Sequence, residues 1–196
     1  NGISIDSRKI MKNDIYIPVK GKKYNGHDFI NESFKKGAIA SFSEQKTIKK
    51  NIINTKSIIK EISNLVKNWS KLSKSKIIGI TGSNGKTTTK NLLFHILEKE
   101  FNCNKTIGNY NSLIGFPISF LSSKINDTYC ILEYGASKPD EIQILCDMLS
   151  PDYSFITNIS QAHIENYKSF NDLYNTKYAI YTSTKNDGTI FINTDE

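Results

Sequence analysis

Apolar residues recur along this chain in two rhythms, and the change of rhythm divides it. In the first part, residues 14–19 (Asp-Ile-Tyr-Ile-Pro-Val) alternate and predict a short strand. A helix is expected over 26–36, with Phe29, Ile30 and Phe34 on one side and Gly37 as its stop. Residues 38–42 and 51–54 are further short strand candidates. From Ser57 to about Leu72, the residues Ile58, Ile62, Leu65, Val66, Trp69 and Leu72 recur at three- and four-residue steps as one apolar stripe, with Thr55 or Ser57 as its cap. That stripe makes Trp69 a core residue, whereas Tyr16 and Tyr24 read as surface aromatics.

Past a seam at 73–76 (Ser-Lys-Ser-Lys), strand and helix patterns alternate. A strand at 76–81 and a glycine-bearing turn lead into a helix over 86–100. A strand at 129–134, a helix at 139–149, a strand at 153–157, a helix around 170–184 and a strand at 189–193 follow. Strands separated by helices of this length imply a mostly parallel sheet covered on both faces. The fold class expected is α/β: a small amino-terminal α/β domain over 1–75, then a central domain over 76–196. Ligands of such sheets bind beyond the carboxyl ends of the strands, which is where Thr81, Glu133 and Thr157 stand.

Composition narrows the function classes. The net charge is +7, but 25 of the 26 basic residues are lysines and Arg8 is the one arginine. With 30 isoleucines and 21 asparagines beside them, the bias runs along the whole chain and looks like A/T-rich coding. A nucleic-acid binder would gather charge on one face and use arginine forks, so the lysines read as solvated surface and no nucleic-acid partner is expected. No apolar run approaches the ~20 residues of a membrane span, and no leader-like segment opens the chain. Membrane insertion is therefore not expected, and a cytoplasmic location is. Cys103, Cys130 and Cys146 have neither CxxC spacing nor a histidine nearby, and they read as buried thiols of a reducing compartment.

The strongest local signal is Thr81-Gly82-Ser83-Asn84-Gly85-Lys86-Thr87-Thr88, between an expected strand and an expected helix. Glycines let consecutive backbone N–H groups curl around a polyphosphate. The lysine then reaches the terminal phosphates, and the following hydroxyl ligates Mg²⁺. The strict pattern would need glycine at position 80, where the chain has Ile80. Gly82 and Gly85 are left to do the turning.

With that loop the chain resembles the Mur ligases, ATP-dependent amide-bond ligases of bacterial cell-wall precursors, whose loop pattern T-G-[ST]-N-G-K-[ST]-T it matches. Other stretches agree in order: Asp6-Ser7-Arg8, Gly21 and Gly26-His27-Asp28-Phe29 resemble the amino-terminal UDP-sugar-facing domain. Gly108-Asn109-Tyr110-Asn111 with Ile114-Gly115-Phe116-Pro117, and Leu132-Glu133-Tyr134-Gly135-Ala136 with Asp140-Glu141-Ile142, resemble the D-alanyl-D-alanine-adding branch, MurF. Thr157-Asn158-Ile159, Ala162-His163-Ile164 and Lys177 complete the set. The branch that adds the third peptide residue, MurE, usually carries a serine pair where this chain has Gly135-Ala136, and it remains the alternative. Ser112, Asn25 and Asp140 depart from the MurF pattern, where asparagine, aspartate and glycine are common.

The resemblance implies two-step chemistry with ATP and Mg²⁺: an acyl phosphate forms on a UDP-N-acetylmuramoyl peptide, and the amine of D-alanyl-D-alanine displaces phosphate. It implies ATP binding by Gly82, Ser83, Asn84, Gly85, Lys86, Thr87 and Thr88. Lys86, Asn111, His163 and Lys177 would be catalytic, and Thr87, Glu133 and His163 would ligate Mg²⁺. Mg²⁺ prefers oxygen ligands, so His163 rests on the resemblance, against a plain capping histidine. Lys177 is the position commonly carbamylated in the family, against an ordinary solvated lysine. Asn109, Asn111 and Asn158 either contact the phosphate or acyl group or cap loops. Ser7, Lys22, Lys23 and Tyr24 resemble uridine-diphosphate contacts; Arg8 either braces that turn or pairs with a nearby carboxylate. The family has a third, carboxy-terminal domain, so the expectation is of an incomplete, monomeric chain with little ligase activity alone. Competing readings are folylpolyglutamate synthase, which lacks such an amino-terminal domain, and a non-catalytic nucleotide- or UDP-sugar-binding module.

Overall fold

The structure, a computed structural model, describes residues 2–21, 23–161 and 164–194. The chain separates into two compact units, Asn1–Asn64 and Leu65–Glu196, with the division inside the helix that precedes the expected seam. In the first unit, β1 (Ile3–Ser4), β2 (Ile15–Tyr16), α1 (Ile30–Lys35), β3 (Ala40–Ser43) and β4 (Ile52–Asn54) build a parallel sheet in chain order. Ile15 pairs with Ile3 on one side and Ala40 on the other. The strand expected to reach residue 19 stops early, because Pro18 has no N–H to give a ladder. The helix expected from residue 26 opens as a 3₁₀ turn, Gly26–Phe29, with Asn25 Oδ1 accepting from His27 N–H at 3.2 Å.

Tyr16 corrects the sequence reading. It is buried against Ile30 and Ala38, and its hydroxyl donates to the Gly26 carbonyl at 3.0 Å. Gly26 has to be glycine, since a Cβ there would lie 2.4 Å from the Val19 nitrogen. Along α2 (Ile58–Ser73) the stripe is buried at Ile58, Ile62 and Val66. Trp69 is half-buried, donating from Nε1 to Ser123 Oγ at 2.8 Å, whereas Leu72 is exposed because the contact ends one turn before it.

The second unit runs β5 (Lys76–Thr81), α3 (Lys86–Leu97), β6 (Cys103–Lys105), α4 (Gly115–Leu121), β7 (Tyr129–Glu133), α5 (Glu141–Met148), β8 (Tyr153–Ile156), α6 (Phe170–Thr182) and β9 (Thr189–Phe191). Its strands are all parallel, in the order β6-β7-β5-β8-β9. Neither β6 nor α4 was expected. Alternation along the strands sorts the two faces. Ile77, Cys130 and Leu132 face a core shared with Phe116 and Phe120 of α4, Leu145 of α5 and Ile180 of α6. Ile78 faces α3 instead, beside a groove of about 510 Å³ that Leu93, Phe155 and Phe191 also line. Chain order reverses at β5, so the switch point lies where β5 meets β7 and β8.

Cys130 and Cys146 are buried free thiols, pushed up by burial to about 11 and about 12, while Cys103 is only half-buried. Among the described residues no helix is long and apolar enough to cross a membrane.

Candidate active site

At the carboxyl end of β5 the chain turns through Gly82 (φ +144°) and Gly85 (φ +80°) into α3. The segment after β8 holds this loop from the side. Asn158 accepts from Ser83 N–H on its carbonyl at 2.9 Å and from Asn84 N–H on Oδ1 at 3.0 Å. Thr157 Oγ1 donates to the Asn84 carbonyl at 2.5 Å, and Ser83 Oγ donates to the Ser160 carbonyl at 3.0 Å. The first turn of α3 leaves its amides without partners inside the helix, a ready cradle for an anion. Thr87 and Thr88 are exposed at that turn.

Two lysines meet on one oxygen there. Lys86 Nζ donates to the Gly82 carbonyl at 2.6 Å and to that of Ser83 at 3.2 Å. Lys177 of α6, 5% exposed, donates to the same Gly82 carbonyl at 3.3 Å. Burial holds the Lys86 ammonium below the usual lysine range, with Glu133 opposing in part. Burial, and then the charge of Lys86, bring Lys177 down to about 8. At the end of β7, Glu133 is 1% exposed; Asn111 Nδ2 donates to its Oε2 at 3.3 Å, and its own N–H donates to Thr106 Oγ1 at 2.8 Å. Lys90 Nζ lies 2.9 Å from Glu133 Oε1, both side chains being almost fully buried.

A loop that curls at two glycines and closes on a lysine at a switch point has the shape of a polyphosphate cradle. Comparison with known proteins agrees. The Mur ligase middle domain matches residues 80–196, and the Mur ligase family catalytic domain matches residues 1–73. The chain belongs to the Mur ligase family. The UDP-N-acetylmuramoyl-tripeptide–D-alanyl-D-alanine ligase of Bacillus subtilis is 31% identical over 100% of this chain and 44% of its own length. The enzyme of that name from Buchnera aphidicola (subsp. Acyrthosiphon pisum) is 37% identical over 100% of this chain and 43% of its own. The MurF ligase of Thermotoga maritima, solved in complex with ADP, aligns with a TM-score of 0.87 and 32% identity, covering 99% of this chain and 46% of the other. The chain thus spans less than half the length of these relatives.

Of the positions the Mur ligase pattern singles out, the structure brings Lys86, Lys177, Asn158, Asn111 and Glu133 to the carboxyl ends of β5, β7 and β8. Asn158 is engaged in holding the loop. Asn109 is exposed, and its carbonyl accepts from Asn111 N–H at 2.8 Å. Gly135 is tied to Asn111: a Cβ would stand 2.7 Å from Asn111 Cγ and 2.8 Å from its carbonyl oxygen. Asp140, where the pattern favours glycine, has φ +63° in the left-handed region, which explains the preference. Ala162, His163 and Lys22 lie outside the described residues.

In the first unit, Ser7 is buried, while Lys23 and Tyr24 are exposed. Arg8 pairs with a carboxylate: Nε and Nη2 donate to Asp6 at 2.9 and 2.8 Å, and that pairing pulls Asp6 down to about 2. Lys90 is the residue that sequence reasoning missed. The available signal was its place one turn after Lys86 on the helix that carries the loop.

The donor set fits Mg²⁺. Among the described residues no three His, Cys, Asp or Glu side chains gather as a ready-made cage. Glu133, however, presents a buried carboxylate, ion-paired through Oε1 with Lys90 at 2.9 Å, and Thr87 offers a hydroxyl at the loop. Oxygen donors completed by phosphate suit a hard cation.

Proposed function

We propose that this chain is the UDP-sugar-facing and ATP-binding part of a cytoplasmic, monomeric ligase that joins D-alanyl-D-alanine to a UDP-N-acetylmuramoyl tripeptide. The observation that carries the reading is the convergence of Lys86 and Lys177 on the Gly82 carbonyl. It brings the Lys86 ammonium and the Lys177 amine together at the place where a terminal phosphate would be gripped. Identity to enzymes of that activity supports the choice of acceptor. So does Gly135, because the serine expected of the third-residue ligase would press on Asn111.

In the first step a carboxylate oxygen of the tripeptide attacks the γ-phosphorus of ATP, the bond to the β-bridging oxygen breaks, and ADP leaves. In the second the amine attacks the acyl carbon, the carbon–oxygen bond to phosphate breaks, and the nitrogen loses a proton to solvent. Charge builds on the phosphoryl oxygens, so catalysis is largely electrostatic placement. Lys86 supplies a cation already stripped of much of its water. Thr87 and Glu133 would hold Mg²⁺, which neutralises phosphate charge when bound. In the full-length protein, phosphate release should require ATP, the UDP-linked tripeptide and D-alanyl-D-alanine together. Release with a single diamino acid in place of the dipeptide would transfer the reading to the third-residue ligase.

Lys177 fits carbamylation. Nitrogen–carbon bond formation with CO₂ needs the neutral amine and releases a proton, and a lysine near pKa 8 is about one-tenth neutral at pH 7. The product replaces a like-charge contact with Lys86 by an attractive one. The sign follows from the lowered value: folding favours the neutral amine, so unmodified protein gains stability as pH rises from about 8 towards the unfolded lysine value. With ¹³C-labelled bicarbonate, the carbamate NMR signal should rise with a midpoint near pH 8 and vanish in Lys177→Arg. A midpoint above 10 would contradict it.

A further inference from the structure

Lys90 stands one turn beyond Lys86 on α3, 2% exposed, in a chain whose other lysines are mostly solvated. Its ammonium makes three contacts, spread over two parts of the second unit. Nζ lies 2.9 Å from Glu133 Oε1 at the end of β7. It also donates to the Thr106 carbonyl at 3.2 Å and the Gly108 carbonyl at 3.1 Å. Thr106 in turn accepts the Glu133 N–H on its hydroxyl, and three residues beyond Gly108 Asn111 reaches the other oxygen of the same carboxylate. One buried cation therefore joins the loop-bearing helix, the candidate metal ligand and the segment that carries Asn109 and Asn111.

We infer that Lys90 is a positioning residue, which fixes the Glu133 carboxylate where it serves the phosphoryl-transfer site. The inference rests on the reading of Glu133 as a metal ligand. A carboxylate removed from water needs a counter-charge, and an ammonium committed to two backbone carbonyls supplies one at a set place. With Oε1 beside Lys90 and Oε2 held by Asn111, the side chain has little rotational freedom left. The geometry at Glu133 is thereby coupled to α3 and to the segment that carries Asn111.

The test uses full-length protein with Lys90→Gln, which keeps a donor without the charge, and Lys90→Arg, which keeps the charge in a planar fork. Mn²⁺ binding to the ADP complex is followed by electron paramagnetic resonance, and metal-free ADP binding by calorimetry. Both variants should weaken Mn²⁺ at least about tenfold, a fall in line with the loss of an outer partner of a metal ligand. Metal-free ADP affinity should stay within about twofold, because loop and Lys86 are untouched. In steady-state assays kcat should fall while KM for the UDP-linked substrate holds. Mn²⁺ affinity unchanged in either folded variant would overturn the proposal. Equal loss of metal-free ADP binding, or failure of both variants to fold, would also overturn it and make the pair purely structural. Glu133→Gln separates the two readings. If that variant binds Mn²⁺ like the parent, the assignment of Glu133 as a ligand fails first; if only the Lys90 variants match the parent, this inference alone fails.

Discussion

Lys86→Ala is expected to lower ligase turnover of the full-length protein about 10³-fold, the scale found when a preorganised group facing developing charge is removed. The side chain is half-buried, and burial already disfavours its ammonium. It is held by the carbonyls of Gly82 and Ser83, within the loop itself, so its charge needs no large rearrangement to act. Arginine should not restore activity, because a planar fork cannot take the place of a compact ammonium between those two oxygens. The thermal midpoint provides the control. Since the fold holds this charge against desolvation, removing it should leave the midpoint unchanged or raise it. Phosphate release at the parent rate in a folded Lys86→Ala protein would remove the basis for reading the loop as a nucleotide grip.

Much of the second unit was legible because its strands are apolar runs bounded by turns. The 76–81, 129–134 and 153–157 patterns became β5, β7 and β8, ending close to where the pattern ends. β6 was not legible: Cys103-Asn104-Lys105 has no period of two, and it is a strand because β7 offers it a partner. α4 failed for a different reason. Gly-Phe-Pro-Ile-Ser-Phe-Leu is buried on nearly every side, so it has no polar face from which a helical period can be read. Pro117 is tolerated because it falls in the first turn.

The site divides the same way. The loop was visible from glycine spacing alone, since the backbone shape it needs is written in residue type. Glu133 and Lys177 were visible through the family pattern, which encodes contacts between strands far apart in the chain. Lys90 was hidden among 25 lysines, because what makes it different is packing against Thr106, Gly108 and Glu133. Asn158 was expected either at the phosphate or acyl group or as a loop cap; it braces Ser83 and Asn84, which needs the two loops to be adjacent.

Gly82→Ala is expected to cost about 3 kcal/mol or more of stability, from strain and overpacking together, and to weaken ADP at least about a hundredfold. The backbone there has φ +144°, and a Cβ would land 1.9 Å from Thr157 Oγ1 and 3.1 Å from the Asn158 carbonyl oxygen. Thr157 cannot simply swing aside, because its hydroxyl donates to the Asn84 carbonyl at 2.5 Å and to that of Thr81 at 3.3 Å. Nor can the Gly82 peptide rotate freely, since its carbonyl receives both Lys86 and Lys177. Gly85→Ala is the comparison. Its φ is +80°, but its Cβ would have nothing nearer than Thr157 Cβ at 3.9 Å. That variant should carry only the backbone cost, about 1–2 kcal/mol. Adding Thr157→Ala should restore part of the Gly82→Ala loss and none of the Gly85→Ala loss, because it removes the atom that a Cβ at 82 strikes. Urea unfolding and ADP calorimetry on the parent, Thr157→Ala, the two glycine variants and the two double variants read both quantities. Equal losses at the two glycines would mean that backbone conformation alone sets the loop, and that the wall formed by Thr157 and Asn158 has no part in shaping it.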